Sequence, residues 1–427
     1  MFQALLDDDL RALESLKAGG GGGKEYATVV VAASNSHATG KATADFVCTG
    51  TNDETVIQQA VNAVAAVGGG RVVLLEGTYT FSTTAGTKVS ITAPTVIEGQ
   101  SGLGSTINLV GNASGPAVAF DLSAPLVLRQ LNVSSANTNW TILRSHTNAA
   151  ITLDQAMLSG TSTSIFDIQP PDITTPFVMS ACNVNMGVNN CTMGTLGTKR
   201  VVVTDCRFLN VGLVMKGTVA RCLFGNSGVI TTQLFVQSND SIGTDDDPLH
   251  VVQCQFSPAS LTTHKSVVLR GRGSIIGSHF VGGGGLGVQV ERSRGVVVVA
   301  NLFRGTFINA IKLLCDATVG SPVHSTRIEN NLFNSTFASA NTSDEILLAV
   351  SGAGSAVWRN TAIYHNVFAP SGNSARYWIN VSDARFENTT IIGNVFGSVG
   401  TAAVNNVGTN TQLTLPSATI GANFQFP

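Results

Sequence analysis

The sequence predicts an all-β solenoid, a stack of short parallel strands wound into one elongated domain. Three observations carry that prediction. A phrase recurs between residues 201 and 396, as VVVTDCRF, TVARCLF, HVVQCQF, SIIGSHF, VVVANLF, RIENNLF, AIYHNVF and TIIGNVF. Each copy ends on a phenylalanine (Phe208, Phe224, Phe256, Phe280, Phe303, Phe333, Phe368, Phe396), and a small polar or thiol residue stands two positions earlier: Cys206, Cys222, Cys254, Ser278, Asn301, Asn331, Asn366 and Asn394. The phenylalanines are unevenly spaced, from 16 residues (Phe208 to Phe224) to 35 (Phe333 to Phe368).

One short strand cannot bury its apolar face alone, so successive copies must stack. Residues two apart point to the same side of a strand, so the phenylalanine and its Cys/Ser/Asn companion should form ladders inside the stack. Stacked asparagines can bond one another and the turn carbonyls, which satisfies groups otherwise buried unpaired. Cysteine in the same place behaves as a small hydrophobe. Uneven spacing excludes a strict helical repeat and suits coils whose extra residues bulge outward as loops.

The recurring phrase resembles the right-handed parallel β-helix of the pectate-lyase-like superfamily and of bacteriophage tailspikes. The resemblance implies a right-handed, single-stranded, pectin-lyase-like parallel β-helix. About 14 coils at ~4.8 Å would make a rod on the order of 65 Å long.

Composition agrees. Charged residues are 12%, hydrophobic residues 43% and glycines 45 in number, too apolar for disorder. Net charge is −2 with no basic stripe, so nucleic acid is not an expected partner. No window reaches 18 uninterrupted apolar residues, so membrane insertion is not expected. The opening MFQALLDDDL has neither basic n-region nor apolar h-region, so no signal peptide is expected. The seven cysteines (Cys48, Cys182, Cys191, Cys206, Cys222, Cys254, Cys315) are odd in number and without a C-x-x-C pair, and read as buried free thiols. Synthesis in a reducing host cytoplasm and assembly into a virion fit both signs.

In chain order, residues 1–24 come first as a docking helix and glycine linker. Phe2, Leu5, Leu6, Leu10, Leu13 and Leu16 make an apolar face, and Gly19 to Gly23 end it as a flexible tether. So short a helix is unstable alone and needs a partner: its own copies in a homotrimer, or a socket on another virion protein reached by residues 1–20. Residues 25–70 follow as an N-terminal strand and a capping helix. Thr51-Asn-Asp-Glu54 fits a capping box, and Ile57, Ala60, Val61, Val64 and Val67 share one face. A helix there would cover the open end of the first coil. RVVLLEGTYTF then reads as a strand pair turned by Gly77. This block, with its Ala-Asp-Phe element, NDET helix start and GGGRVVLLEGTY, is similar to the opening of pectate-lyase-like phage tail proteins. Residues 71–427 form the β-helix itself. Asn132 in LVLRQLNV leaves the ladder register of the earlier coils open.

Three groups could carry chemistry. Asp245, Asp246 and Asp247 could act on a glycosidic bond, but their run beside Pro248 reads as a solvated turn, and the Gly-His-Gly and Arg-Ile-Lys companions of β-helix pectinases are missing. Arg270, Arg272, Glu291, Arg292 and Arg294 place arginines near a carboxylate, as a uronate lyase needs, yet read more simply as ion pairs between coils. His264-Lys265 and Tyr364-His365 read as loop and surface residues. Trp358, Tyr377 and Trp378 could stack on sugar rings or pack between chains. No metal or cofactor is expected. The expected role is a bacteriophage spike or fibre docked by its N-terminal helix and contacting host glycan. A polysaccharide hydrolase or lyase, and a capsid decoration protein without glycan affinity, are the alternatives.

Overall fold

The computed structural model describes residues 27–414 apart from 83–84, 101–103, 111–116, 136–138, 146, 162–164, 169–175, 187–190, 196–200, 226–233, 239–247, 259–262, 317–322, 337–342, 353–355, 370–374 and 398–401. The docking helix, with Phe2, Leu5, Leu6, Leu10, Leu13 and Leu16, lies outside the described residues. The chain divides into two compact units, Met1–Gly187 with Gly194–Cys206, and Val188–Met193 with Arg207–Pro427. Each is built of parallel β-helix coils with three strands to a coil.

In the first unit, one face stacks Ala27–Ala32, Gly70–Leu74, Thr95–Gly99, Leu126–Arg129, Ile151–Asp154, Phe177–Ser180 and Val201–Thr204, all parallel. The second face stacks Gly77–Phe81, Ser105–Leu109, Asn132–Ser135, Met157–Gly160 and Asn183–Met186. The third stacks Gly86–Ile91, Ala117–Leu122, Trp140–Ser145 and Phe166–Ile168. RVVLLEGTYTF is therefore not a pair: its two strands lie on different faces, each bonded to the next coil. Gly77 makes the corner at φ 141°, where a Cβ would sit 2.7 Å from the Cβ of Ala33. The ladder corner of LVLRQLNV belongs to Leu131, because Asn132 is in register with Thr106 and Met157 on the strand itself.

Two helices open the unit. A short α1 (Ala38–Thr43), which the sequence pattern does not announce, is followed by α2 (Glu54–Ala65). Ile57, Ala60, Val61 and Val64 are fully buried, and α2 packs against strands of all three faces, as an end cap must. The capping box does not form. Asp53 is the N-cap, but its carboxylate instead accepts from the backbone N–H groups of Gly50 (2.9 Å) and Thr80 (2.8 Å), and Glu54 accepts from Ser82. These acids tie the helix to the first coil, which the local pattern cannot show. Val67 lies beyond the helix and is 67% exposed.

The second unit repeats the plan. The recurring phenylalanines stack face to face on the strands Arg207–Leu209, Leu223–Gly225, Gln255–Ser257, His279–Gly283, Leu302–Thr306, Leu332–Thr336, Val367–Phe368 and Val395–Phe396. Successive ring centroids are 4.7–5.2 Å apart. Ring spacing thus matches strand spacing, and each buried ring contributes about 1.5–3 kcal/mol by burial.

Immediately before each ladder residue the chain turns through the left-handed region, at Arg221, Gln253, Gly277, Ala300, Asn330, His365 and Gly393. At such a corner the ladder residue's own N–H points inward, off the strand ladders. The ladder side chain of the next coil supplies the acceptor. Asn331 Oδ1 accepts from the N–H and the Nδ2 of Asn301, both at 3.0 Å, while Asn331 Nδ2 donates to Asn366 Oδ1 (2.9 Å) and to the carbonyl of Val298 (2.9 Å). Asn366 and Asn394 repeat the pattern. Every donor and acceptor of such an amide is used. Where the ladder holds cysteine, the thiol of Cys222 or Cys254 donates weakly to the carbonyl two residues back. The six described cysteines are buried free thiols; Cys191 has no described side chain.

Candidate functional site

A groove lies in the second unit, on the outer side of strands Trp358–Tyr364, Thr390–Ile392 and Gln412–Thr414. Its origin is a second corner, this time on the outside. Ser325, Asn360, Asn388 and Asn410 all have φ between 52° and 61°, and the pairing of Arg359 with Glu387 and of Ala362 with Thr390 places Asn360 beside Asn388. Asparagine tolerates this left-handed conformation better than most residues. Each bend lifts the strand edge, and the bends stack into the wall of a groove of about 420 Å³.

Asn360, Asn388, Asn410, Thr390 and Gln412 line the groove, with Tyr364 at its side. Asn360, Asn388, Asn410 and Gln412 are exposed. Asn388 Nδ2 donates to Asn360 Oδ1 at 3.4 Å, a loose contact that leaves other amide groups available. Beneath the corner, Thr326, Thr361 and Thr389 are buried, and their hydroxyls make no hydrogen bond. Ion pairs join Arg359 to Glu387 at 2.8 Å and Arg327 to Glu329 at 3.0 Å on neighbouring strand positions, so these four charges cancel. Among the described residues the lining holds no carboxylate and no histidine. Amides and hydroxyls with spare donors and acceptors suit the hydroxyl pairs of a sugar, and tyrosine offers a flat apolar face. Such a set can bind a sugar.

Of the residues singled out from the sequence, Tyr364 is in the described lining. Asp245, Asp246 and Asp247 lie outside the described residues. Arg270 and Glu291 are register neighbours on Lys265–Ile276 and Leu286–Val299, and their side chains pair at 2.8 Å. This is the ion pair between coils that the pattern suggests. Lys265 Nζ stands 3.9 Å from Glu291, and Gln289 donates to the same carboxylate. The side chains of Arg292 and Arg294 are outside the described atoms, and Arg272 is exposed.

The tryptophans are corrected by burial. Trp358 is fully buried against Phe386 (5.7 Å between centroids), and Trp378 is fully buried against Phe368 (5.5 Å) with its indole N–H donated to the carbonyl of Gly397. Neither ring has a face for a sugar or another chain. Tyr377 is half-buried under the Arg376 guanidinium, which is itself paired with Asp344. His264 lies in the loop just before the strand Lys265–Ile276, as the pattern suggests, but it is fully buried, 4.5 Å from the ring of Phe235.

The groove itself was not foreseen, although a signal existed. Ser325, Asn360 and Asn388 each stand eight residues before a ladder phenylalanine, Phe333, Phe368 and Phe396. Among the described residues no group of three or more His, Cys, Asp or Glu side chains is placed to hold a metal ion.

No protein-family model matches the chain, and no curated protein is detectably similar to it in sequence. Solved structures do match. The tailspike protein 3 of bacteriophage CBA120 superposes with a TM-score of 0.54 at 13% identity, covering 83% of this chain and 58% of that one. The mannuronan C-5 epimerase A-modules AlgE6 and AlgE4 of Azotobacter vinelandii each superpose with a TM-score of 0.50, at 16% and 14% identity, over 86% and 85% of this chain and 96% of each module. The shared architecture is the right-handed parallel β-helix.

Proposed function

We propose that the protein is a bacteriophage virion component, a β-helical spike or fibre that contacts host-surface glycan through the groove of Asn360, Asn388, Asn410 and Gln412. One observation carries the reading: a solvent-open groove whose described lining is amides, hydroxyls and one tyrosine, groups suited to hold a sugar. Virion origin is supported by the likeness of residues 25–80 to the opening of phage tail proteins, and the CBA120 tailspike has the same fold. The N-terminal helix, tethered by its glycines, would dock residues 1–20 on another virion protein, with a homotrimer as the working assembly.

The test is a binding screen of the full-length protein on purified bacterial surface polysaccharides, with reducing-end and unsaturated-uronate assays on the same samples. Attachment predicts retention on one polysaccharide class without release of fragments. Fragment release would transfer the protein to the hydrolases or lyases, and retention on none would leave it a decoration protein. Assembly is tested by mass in solution of the full chain beside one beginning at Glu25. Trimers in both would place the assembly contacts on the coils and leave the helix to dock; monomers in both would contradict the trimer.

A further inference from the structure

A second surface of the same unit has a different chemistry. It lies on the face built from Leu234–Ser238, the first half of Lys265–Ile276, the first half of Leu286–Val299, Asn309–Asp316, Asp344–Ser351 and Tyr377–Val381. Val267, Val288 and Ile311 are in register and point into the coil, so their strand neighbours Val268, Gln289 and Lys312 point outward. Outward residues are normally wet. Yet Val268 and Gln289 are each only 2% exposed, and Lys312 is half-buried. The row is recessed.

Lys265, Arg270 and Lys312 surround a single described carboxylate, Glu291. Arg270 Nε holds Glu291 Oε2 at 2.8 Å, and the buried Gln289 amide donates to Oε1. The carboxylate is thus fixed from two sides, while Lys265 reaches it only at 3.9 Å. Lys312 makes no hydrogen bond and no ion pair among the described residues. Burial and the nearby Lys265 ammonium both push the Lys312 ammonium towards losing its proton, and Glu291 opposes them. Among the described residues, three cations on one anion leave two positive charges in excess in a recessed place, where Coulomb attraction is stronger than on an open surface.

We infer that Lys265 and Lys312 form an oxyanion-binding site, with Glu291 held back by Arg270 and Gln289, and that its ligand is the carboxylate or sulfate of an acidic saccharide. The site is independent of the amide groove. The groove lies on another face of the coil, and its neighbouring charges cancel. Glu291 is the site's internal competitor: it occupies part of the positive field that an incoming anion would use.

The experiment is calorimetric titration of the full-length protein at low salt with an oligoglucuronate, the matching neutral gluco-oligosaccharide, and sodium sulfate. The oligoglucuronate is expected to bind about tenfold tighter than its neutral counterpart, and to weaken as salt rises. Lys312→Gln should cost about tenfold in oligoglucuronate affinity without lowering the unfolding temperature, and Lys312→Arg should keep it. Glu291→Gln should strengthen binding severalfold, which a residue needed only for the fold would not do. Sulfate bound as tightly as the oligomer, and equally sensitive to Lys312→Gln, would support the site with a free ion as its ligand. Absence of binding by either anion, or an oligoglucuronate affinity unchanged in Lys312→Gln, would overturn the inference.

Discussion

Two rows of asparagine run through the second unit, and they do opposite things with the same side chain. The inner row, Asn301, Asn331, Asn366 and Asn394, is at most 2% exposed, and each amide is bonded to a neighbouring coil. The outer row, Asn360, Asn388 and Asn410, is exposed and joined only by a loose contact between Asn388 and Asn360. Both rows belong to left-handed corners: the inner asparagines follow one, and the outer ones are themselves the left-handed residues. Residue type does not decide the role. What decides it is whether the corner points the amide at its stacked neighbour in a dry interior or at water. A satisfied buried amide stabilises; an unsatisfied exposed one is available to a ligand.

The interior should therefore fail in proportion to what a substitution leaves unfilled or unpaired. The largest effect is expected for Phe303→Ala. Its ring is sandwiched between Phe280 at 4.7 Å and Phe333 at 4.9 Å, and its removal should cost about 3–5 kcal/mol in urea unfolding. Asn366→Leu keeps the volume but removes the acceptor for the N–H and Nδ2 of Asn331, and should cost about 2–3 kcal/mol. No loss there would mean that the inner row does not hold the corner.

Glu345 is a buried polar group that lacks what the inner asparagines have. Ser335 donates to Oε1 at 2.5 Å, but Oε2 has no partner, and burial pushes the carboxyl up to about 8. The folded chain therefore holds this proton more tightly than the unfolded chain, whose glutamates titrate near 4.3. The sign follows: between about 4.3 and about 8 the native state binds more protons, so this group's contribution falls by about 1.4 kcal/mol for each pH unit gained. Below that window the contribution is fully present, and above it the loss is complete. Glu345→Gln should remove this slope from the pH dependence of unfolding; an unchanged slope would assign the proton elsewhere. The smallest effect belongs to Thr361→Val, which replaces a buried hydroxyl without a partner and should be stabilising by about 1 kcal/mol.

Most of the fold was legible in the sequence because stacking imposes identity on it. A ladder works only if each coil offers the same side chain at the same corner, so Phe208 through Phe396 and the Cys/Ser/Asn series could be read directly. The fate of the capping box was not legible. Asp53 and Glu54 fit the local pattern, but their partners Thr80 and Ser82 come from the next strand and its end, and helix spacing carries no record of them. Trp358 and Trp378 failed as sugar platforms for a related reason: strand alternation shows that a ring faces one side, not which side is the core. The groove escaped because its residues serve a solvent-facing bend. Only the recurrence of Ser325, Asn360 and Asn388 eight residues before a ladder phenylalanine betrays it, and polar residues at that offset read as ordinary turn chemistry.

The most direct measurement compares the full-length protein with the double variant Asn360→Gly, Asn388→Gly, in which glycine keeps the left-handed corners while removing both amides, on the polysaccharide that the wild type retains. The outer row takes no part in the core, so the unfolding midpoint should stay within about 0.5 kcal/mol of wild type, while affinity should fall at least about tenfold. A variant that unfolds early would show that the outer asparagines hold the coil together, and one that binds as tightly as wild type would contradict the groove as the contact with glycan.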